Sequence, residues 1–210
     1  MSNRAMVETL RKRGYLRSKR VEDAMLAVDR AIFVPQSAYP YDDRPYPVGG
    51  GQTISAPSVV AFMLEHLDVR PGMKVLEVGT GSGYNAAILS QLVGSVGRVI
   101  SIERLPELTD IARKNLEKMG MPANVELVVG DGSCGYGKEA PYDRIIVTAG
   151  MPYPDQDHPL VNQLKKDGIM VAPVGGRFYQ DLIVYDKKAD IYRKVLPVIF
   201  VPLLGEYGFR

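Results

Sequence analysis

Residues 75–84 read VLEVGTGSGY, and this stretch decides the fold. A run of apolar residues ends in three glycines at alternate positions, which predicts a buried strand followed by a tight turn into a helix. Further apolar runs of strand length alternate with helical patterns downstream, as expected for a parallel sheet that is covered on both faces. The sequence therefore predicts an α/β fold built on a doubly wound, mostly parallel sheet of seven strands.

The elements around this stretch follow the same alternation. Helices are predicted over residues 85–92, 106–119 and 159–166. The last two strands have no helix between them, so we expect an antiparallel hairpin at one edge of the sheet. The seven predicted strands cover residues 74–78, 98–102, 125–129, 144–148, 168–174, 182–185 and 192–201.

The N-terminal quarter differs from the rest in composition. Two amphipathic helices are predicted within residues 4–32, the second with Ser18 as its N-cap. Residues 35–53 are rich in Pro, Gly, Asp and Tyr and predict a long loop, which we interpret as a lid. We expect a single domain, with a helical N-terminal cap and active-site loop in residues 1–57 and a cofactor-binding sheet and substrate edge strand in residues 58–210.

Composition excludes several classes of protein. The 210 residues carry a net charge of +2, which is too small to indicate nucleic-acid binding. A single cysteine, Cys134, excludes a disulfide framework and a cysteine-ligated zinc site within one chain, and two histidines leave little for a His-rich metal centre. No apolar run reaches the roughly 18 residues of a membrane span, and the N-terminus lacks a leader pattern. We expect a cytoplasmic monomer that binds no metal, membrane or nucleic acid.

Carboxylates follow three successive predicted strands, where ligands of such sheets bind. Glu77 adjoins the glycine loop, where its charge repels a phosphate and attracts a cation. Glu103 suits the two hydroxyls of a ribose, and Asp131 suits an adenine amine. The loop itself is not a dinucleotide fingerprint, because Tyr84 stands where the third glycine belongs. This set favours a positively charged adenosine derivative, such as S-adenosylmethionine, although the glycines alone are also compatible with a plain βα turn.

Several stretches together resemble a known family. They are QTISAP at residues 52–57, the glycine loop at 75–84, GDGS at 130–133, APYDRIIVTA at 140–149 and FVPL at 200–203. Over nearly the whole chain the sequence resembles the protein-L-isoaspartate (D-aspartate) O-methyltransferases. The resemblance implies a class I, Rossmann-like methyltransferase fold.

The resemblance also implies a reaction. Members of this family use S-adenosylmethionine to methylate the α-carboxylate of L-isoaspartyl residues in damaged proteins, with D-aspartyl residues as a further candidate substrate. They release S-adenosylhomocysteine, and the methyl ester collapses to a succinimide that leads back to aspartate. Carried over residue by residue, the resemblance implies one catalytic residue, Ser55. It implies a cofactor site of Ile54, Ser58, Glu77, Gly79, Gly81, Glu103, Asp131 and Gly132, and substrate contacts at Thr53, Val201 and Pro202.

The expected role of Ser55 is to position the substrate. A carboxylate with a pKa of about 4 is already ionised at neutral pH, so methyl transfer to it requires no general base. The Ser55 hydroxyl can orient the carboxylate by donating a hydrogen bond. The alternative is that Ser55 is merely the N-cap of the helix that follows Pro57.

Other functions stay open on the sequence alone. A methyltransferase for RNA or a small molecule can share this cofactor half, although residues 148–152 lack the Asn/Asp-Pro-Pro-Tyr type of clamp found in amine methylases. A non-catalytic module that binds S-adenosylmethionine is a third alternative. Residues 151–160 look two residues longer than the family pattern, and His158 within them is expected at the surface.

Overall fold

The computed structural model describes residues 1–35 and 39–210 of the chain. The N-terminal layer contains helices α1 (Asn3–Lys12) and α2 (Lys19–Ala27) and a 3₁₀ turn, Arg30–Phe33. The hydroxyl of Ser18 accepts a hydrogen bond from the N–H of Val21, which confirms the predicted cap of α2. The prediction that this helix continues to residue 32 was wrong, because Val28 has extended backbone and a separate 3₁₀ turn follows.

The predicted long loop contains regular structure. Strands β1 (Tyr46–Gly49) and β2 (Gln52–Ile54) form an antiparallel hairpin in which Tyr46 lies opposite Ile54. Gly50 and Gly51 turn the chain between them with φ angles of 56° and 71°, a conformation in which glycine has no steric cost. The prediction of a structureless loop was therefore wrong for residues 46–53, and residues 36–38 of that loop lie outside the described residues.

A seven-stranded sheet forms the centre of the molecule, with the order β5-β4-β3-β6-β7-β8-β9. The first five strands in this order pair in parallel, and β8 and β9 complete the sheet in antiparallel fashion. This confirms the mostly parallel sheet with an antiparallel edge hairpin. The strands are β3 (Lys74–Val78), β4 (Arg98–Glu103), β5 (Val125–Val129), β6 (Tyr142–Val147), β7 (Leu164–Gly175), β8 (Gln180–Asp186) and β9 (Ile191–Val198).

Helices cover both faces of this sheet. They are α3 (Pro57–Leu67), α4 (Tyr84–Val93), α5 (Pro106–Lys118) and α6 (Pro159–Gln163). One buried cluster packs Leu64 and Leu89 with the N-terminal layer, and a second packs Leu76 and Leu160 on the other face. Covering both faces explains why the central strands are almost continuously apolar. No helix in the described part of the chain is long and apolar enough to cross a membrane.

Two boundaries near the C-terminus differ from prediction. Helix α6 ends at Gln163 rather than at residue 166, because Leu164 is extended and pairs with Tyr142 as the first residue of β7. Strand β9 ends at Val198 rather than at residue 201. Beyond it the chain leaves the sheet edge and runs beside Gly150, which follows β6. The segment that carries Val201 is thereby brought from the edge to the centre of the sheet.

Candidate active site

A cleft opens at the carboxyl ends of β3, β4 and β6. The strand order reverses between β3 and β6, and ligands of α/β sheets bind at such a point. Its walls come from β2 and the turn into α3, from the glycine loop, and from residues 201–204. Most of the predicted site residues meet there. Those that line the cleft are Thr53, Ile54, Ser55, Glu77, Gly79, Gly81, Glu103, Gly132, Val201 and Pro202.

The glycine loop fits closely against the end of β6. Gly79 has a φ of 95°, and a β-carbon there would lie 2.3 Å from Oγ1 of Thr148. That hydroxyl lies 2.7 Å from the carbonyl oxygen of Gly79, to which it donates. Gly81, with a φ of 53°, faces open space instead. The first glycine is thus required by packing, while the second leaves room for a ligand to approach the backbone.

Glu103 is fixed by two backbone groups. Its Oε2 accepts from the N–H of Gly81 at 3.0 Å, and its Oε1 accepts from the N–H of Leu105 at 3.1 Å. The residue is 8% exposed. Each carboxylate oxygen has a further acceptor site, so the group can still accept from hydroxyls in the cleft.

Glu77 lies fully buried at the end of β3. Its Oε2 accepts from the hydroxyl of Ser101 at 2.5 Å, and its Oε1 accepts from Nδ2 of Asn85 at 2.8 Å. Burial raises the pKa of Glu77 to about 7, against the opposing effect of these two hydrogen bonds. The group is therefore poised to change charge near neutrality, and a cation in the cleft favours its ionised form. Sequence reasoning missed both partners of Glu77, since a serine within a strand and an asparagine within a helix carry no distinctive pattern.

Ser55 lies between β2 and α3. Its carbonyl oxygen accepts from Nη2 of Arg30 at 2.8 Å. The N-cap position of α3 is Ala56, whose methyl group cannot accept a hydrogen bond. The carboxylate of Asp43 instead accepts from the N–H of Ser58 at 2.9 Å. The interpretation of Ser55 as the N-cap is therefore wrong, and its side chain has no capping role.

Arg30 is a buried cation that sequence reasoning missed. Its guanidinium lies 5.0 Å from the ring centre of Tyr84, which lines the cleft. Within the described residues its Nε and Nη1 are buried without a hydrogen-bond partner. Burial lowers the pKa of Arg30 from its ordinary value. The only available signal was an arginine between the apolar positions Val28 and Ile32.

Two predicted cofactor residues lie outside this lining. Ser58 is buried at the start of α3. Asp131 accepts through Oδ1 from the N–H of Ser133 at 2.9 Å and through Oδ2 from the N–H of Glu206 at 2.8 Å. As in Glu103, each of these oxygens keeps a further acceptor site, so the contact of Asp131 with an adenine amine stays a prediction. Its neighbour Gly132 reaches the cleft instead.

The longer segment after β6 folds back onto the protein. His158 is buried, and its Nδ1 accepts from the N–H of Leu160 at 3.2 Å as the cap of α6. Its ring packs edge-on against Tyr207. The expectation of a surface histidine was therefore wrong. Burial lowers the pKa of His158 from its ordinary value.

The comparison with known families decides what kind of protein this is. The family described as protein-L-isoaspartate (D-aspartate) O-methyltransferase matches residues 1–208. The chain belongs to this family. The resemblance inferred from five stretches of sequence is thereby confirmed. Membership makes the protein an enzyme of the transferase class, which argues against a non-catalytic binding module.

Relatives in this methyltransferase family match the chain over nearly its whole length and over most of their own. The protein-L-isoaspartate O-methyltransferase of Hyperthermus butylicus is 51% identical and is matched over 100% of this chain and 91% of its own. That of Methanopyrus kandleri is 53% identical, over 98% of this chain and 92% of its own. A Plasmodium falciparum structure of the same name, in complex with S-adenosyl-L-homocysteine, has a TM-score of 0.87 at 26% identity, covering 97% of this chain and 99% of that one. The class I, Rossmann-like methyltransferase fold is confirmed.

Proposed function

We propose that the protein transfers the methyl group of S-adenosylmethionine to the α-carboxylate of L-isoaspartyl residues in damaged proteins. The methyl ester then closes to a succinimide, whose hydrolysis returns part of the damage to normal aspartate. D-Aspartyl residues are a second candidate substrate. One observation carries the proposal: a single cleft joins the glycine loop and two acidic strand ends to Ser55 and to residues 201–204.

The donor set suits S-adenosylmethionine. Glu77 offers a buried negative charge to its cationic groups, and Glu103 offers fixed acceptors to its ribose hydroxyls. Gly81 lets the ligand approach the backbone, and Ile54 and Gly132 supply uncharged walls. For Asp131 we propose an indirect part, in which it holds the turn that presents Gly132. Ser58 likewise acts through the start of α3, which it shares with the Ser55 turn.

The residues at the other end of the cleft suit a carboxylate substrate. When bound, S-adenosylmethionine supplies an activated methyl group on its sulfonium sulfur. Ser55 donates its hydroxyl hydrogen to the substrate carboxylate and fixes the direction from which it approaches. Arg30 holds the backbone of Ser55 through its carbonyl oxygen. Once cofactor and substrate displace water from the cleft, opposite charges attract more strongly inside it.

The substrate backbone is proposed to lie along Thr53, Val201 and Pro202. The carbonyl of Val201 already accepts from the N–H of Gly150 at 2.8 Å, and Gly150 in turn accepts from Leu203 at 2.7 Å. These two bonds occupy the side of the segment that faces Gly150, so an added substrate strand has to pair with the opposite side. Main-chain contacts of this kind carry little sequence information, which suits an enzyme that meets damage in many proteins.

Methyl transfer from labelled S-adenosylmethionine tests the proposal. Matched peptides carry L-isoaspartyl, D-aspartyl or L-aspartyl at one position, and a structured RNA serves as the alternative acceptor. We expect label on the isoaspartyl peptide and none on the L-aspartyl peptide, with the label released as methanol in mild alkali, as an ester requires. Label on RNA alone, or on no acceptor while S-adenosylhomocysteine still binds, would contradict the proposal.

A further inference from the structure

Three large apolar side chains are exposed to solvent near the carboxyl end of β7, on the side of the sheet where the cleft opens. Phe178 is 77% exposed, Tyr179 is 75% exposed and Ile199 is 71% exposed. We refer to these three residues as the apolar rim. Single exposed apolar residues are common on protein surfaces, whereas neighbouring ones that point to no internal partner mark an interaction site.

Two members of the apolar rim, Tyr179 and Ile199, adjoin the last pair of β8 and β9, and Phe178 precedes Tyr179 in the turn. Residues 176–179 form the turn between β7 and β8, in which Gly175 pairs with Gln180. Gln180 also pairs with Val198 of β9. Tyr179 and Ile199 are therefore the next residues beyond the last pair of β8 and β9. Because β7 runs parallel to β6, this turn and the cleft both lie at the carboxyl ends of these strands.

The side chain of Gln180 ties the apolar rim to the cleft. It is 4% exposed; its Nε2 donates to the carbonyl of Gly176 at 2.6 Å, and its Oε1 accepts from the N–H of Phe200 at 2.9 Å. It also packs on Gly150, where a β-carbon would lie 2.8 Å from its Cδ. Since Gly150 is bonded to Val201, one buried amide links the turn to the segment that lines the cleft.

The separation suits a bound polypeptide. Ile199 precedes Val201 by two residues, and two residues of extended chain span about 7 Å. A polypeptide whose reactive residue sits in the cleft must leave along its walls, so residues up to about three positions away reach the apolar rim. The turn also carries Arg177, whose Nη1 donates to the backbone oxygen of Arg210 at 2.6 Å, which ties the turn to the last residue of the sequence.

We propose that the apolar rim binds an apolar or aromatic side chain of the substrate polypeptide, within about three residues of the isoaspartyl position. This inference rests on the proposed function and names its substrate class. Folded proteins bury such side chains, so the apolar rim selects damaged segments that have become unfolded or locally detached. It adds affinity without reading a particular sequence, because apolar contact is non-directional.

The test compares two isoaspartyl peptides of equal length and charge. One carries Leu and Phe on the two sides of the isoaspartyl residue, and the other carries Ser at both places. For the wild-type protein we expect kcat/KM to be roughly tenfold higher for the apolar peptide, the size of effect that one apolar contact supplies. In the double variant F178S/Y179S, and in I199S, the two peptides should become nearly equal.

Controls keep the outcome specific. Val96 is 83% exposed and lies just before β4, at the end of the strands opposite to the cleft. The variant V96S should keep the wild-type preference for the apolar peptide. Affinity for S-adenosylhomocysteine should be unchanged in all variants.

Equal activity of the wild type on both peptides, or a preference that survives in F178S/Y179S, would overturn the inference while leaving the proposed function intact. A wild type that sediments as a dimer and an F178S/Y179S variant that sediments as a monomer would overturn it too, by assigning the surface to a second copy. Failure to methylate either peptide would instead remove the proposed function.

Discussion

The backbone N–H of Gly81 donates a hydrogen bond of 3.0 Å to Oε2 of Glu103, 22 residues further along the chain. This bond joins the glycine loop after β3 to the end of β4. Because Leu105 donates to the other oxygen, the carboxylate is held in place by the backbone at both oxygens. Such an acceptor is ready for a ligand without paying further ordering entropy.

We expect Glu103→Ala to weaken binding of S-adenosylhomocysteine by about 100-fold, because charged hydrogen bonds to the ligand are lost together with the support of the glycine loop. Glu103→Gln keeps one acceptor oxygen and should lose about tenfold. Isothermal titration calorimetry measures both affinities. Glu126→Gln is the matched control, since this carboxylate pairs with Arg98 on a neighbouring strand away from the cleft. An unchanged affinity in Glu103→Ala would refute the role in cofactor binding.

Ser55→Ala should lower kcat for an isoaspartyl peptide roughly 10- to 100-fold, because one orienting hydrogen bond to the carboxylate is lost. Affinity for S-adenosylhomocysteine should change less than twofold, because the proposed contact of Ser55 is with the substrate and not with the cofactor. Steady-state kinetics and calorimetry separate the two effects. Ser95→Ala, at an exposed position before β4, should leave both quantities unchanged. Equal losses of turnover and of cofactor affinity in Ser55→Ala would contradict a positioning role.

The sheet could be predicted because its strands are buried on both faces. Short runs rich in Val, Ile and Leu, such as residues 74–78 and 144–148, favour central strands, and the glycine loop follows from its position after the first of them. Glu77 and Glu103 could be assigned to the site for the same reason. These features are local in the sequence, so residue type and spacing suffice.

The sequence could not predict contacts whose partner is distant along the chain. Asp131 looks free in its own loop, but its Oδ2 accepts from the backbone N–H of Glu206. Phe200 lies in what reads as a continued strand, yet its N–H is bound by the side chain of Gln180, which draws the chain off the edge. The cap of α3 comes from Asp43, 15 residues before Ser58. No local pattern predicts such contacts, because tertiary packing supplies the partner.

Asp43→Ala should lower the free energy of unfolding by about 1 kcal/mol, the usual value of a carboxylate that caps a helix N-terminus. Asp43→Asn keeps an acceptor for the N–H of Ser58 and should retain most of the stability. Denaturant unfolding followed by circular dichroism measures both. Asp42→Ala removes the neighbouring carboxylate, which lies 3.9 Å from Arg44 at the surface, and should cost less. A loss in Asp42→Ala equal to that in Asp43→Ala would show that general loop charge, rather than the cap, stabilises this region.

Glu77 predicts how cofactor affinity depends on pH. Its pKa in the folded protein is raised from about 4.5 to about 7 by burial. Between these values the native state holds a proton that the unfolded chain has released, so stability falls as pH rises through this window. A cationic ligand beside Glu77 requires the ionised form. The contribution of Glu77 to affinity should therefore be constant above pH about 7 and fall by up to about tenfold per pH unit below it.

Calorimetry in buffers of different ionisation enthalpy tests this linkage. At pH 6 the wild type should release about one more proton on binding S-adenosylmethionine than Glu77→Gln does, because only the wild type must deprotonate this carboxyl group. The difference between the two proteins removes the contribution of the ligand's own amino group. At pH 8, above the raised pKa, the proton counts of the two proteins should agree. Equal proton release at pH 6 would contradict this linkage, because Glu77 would then keep the same protonation state in the free and the bound protein.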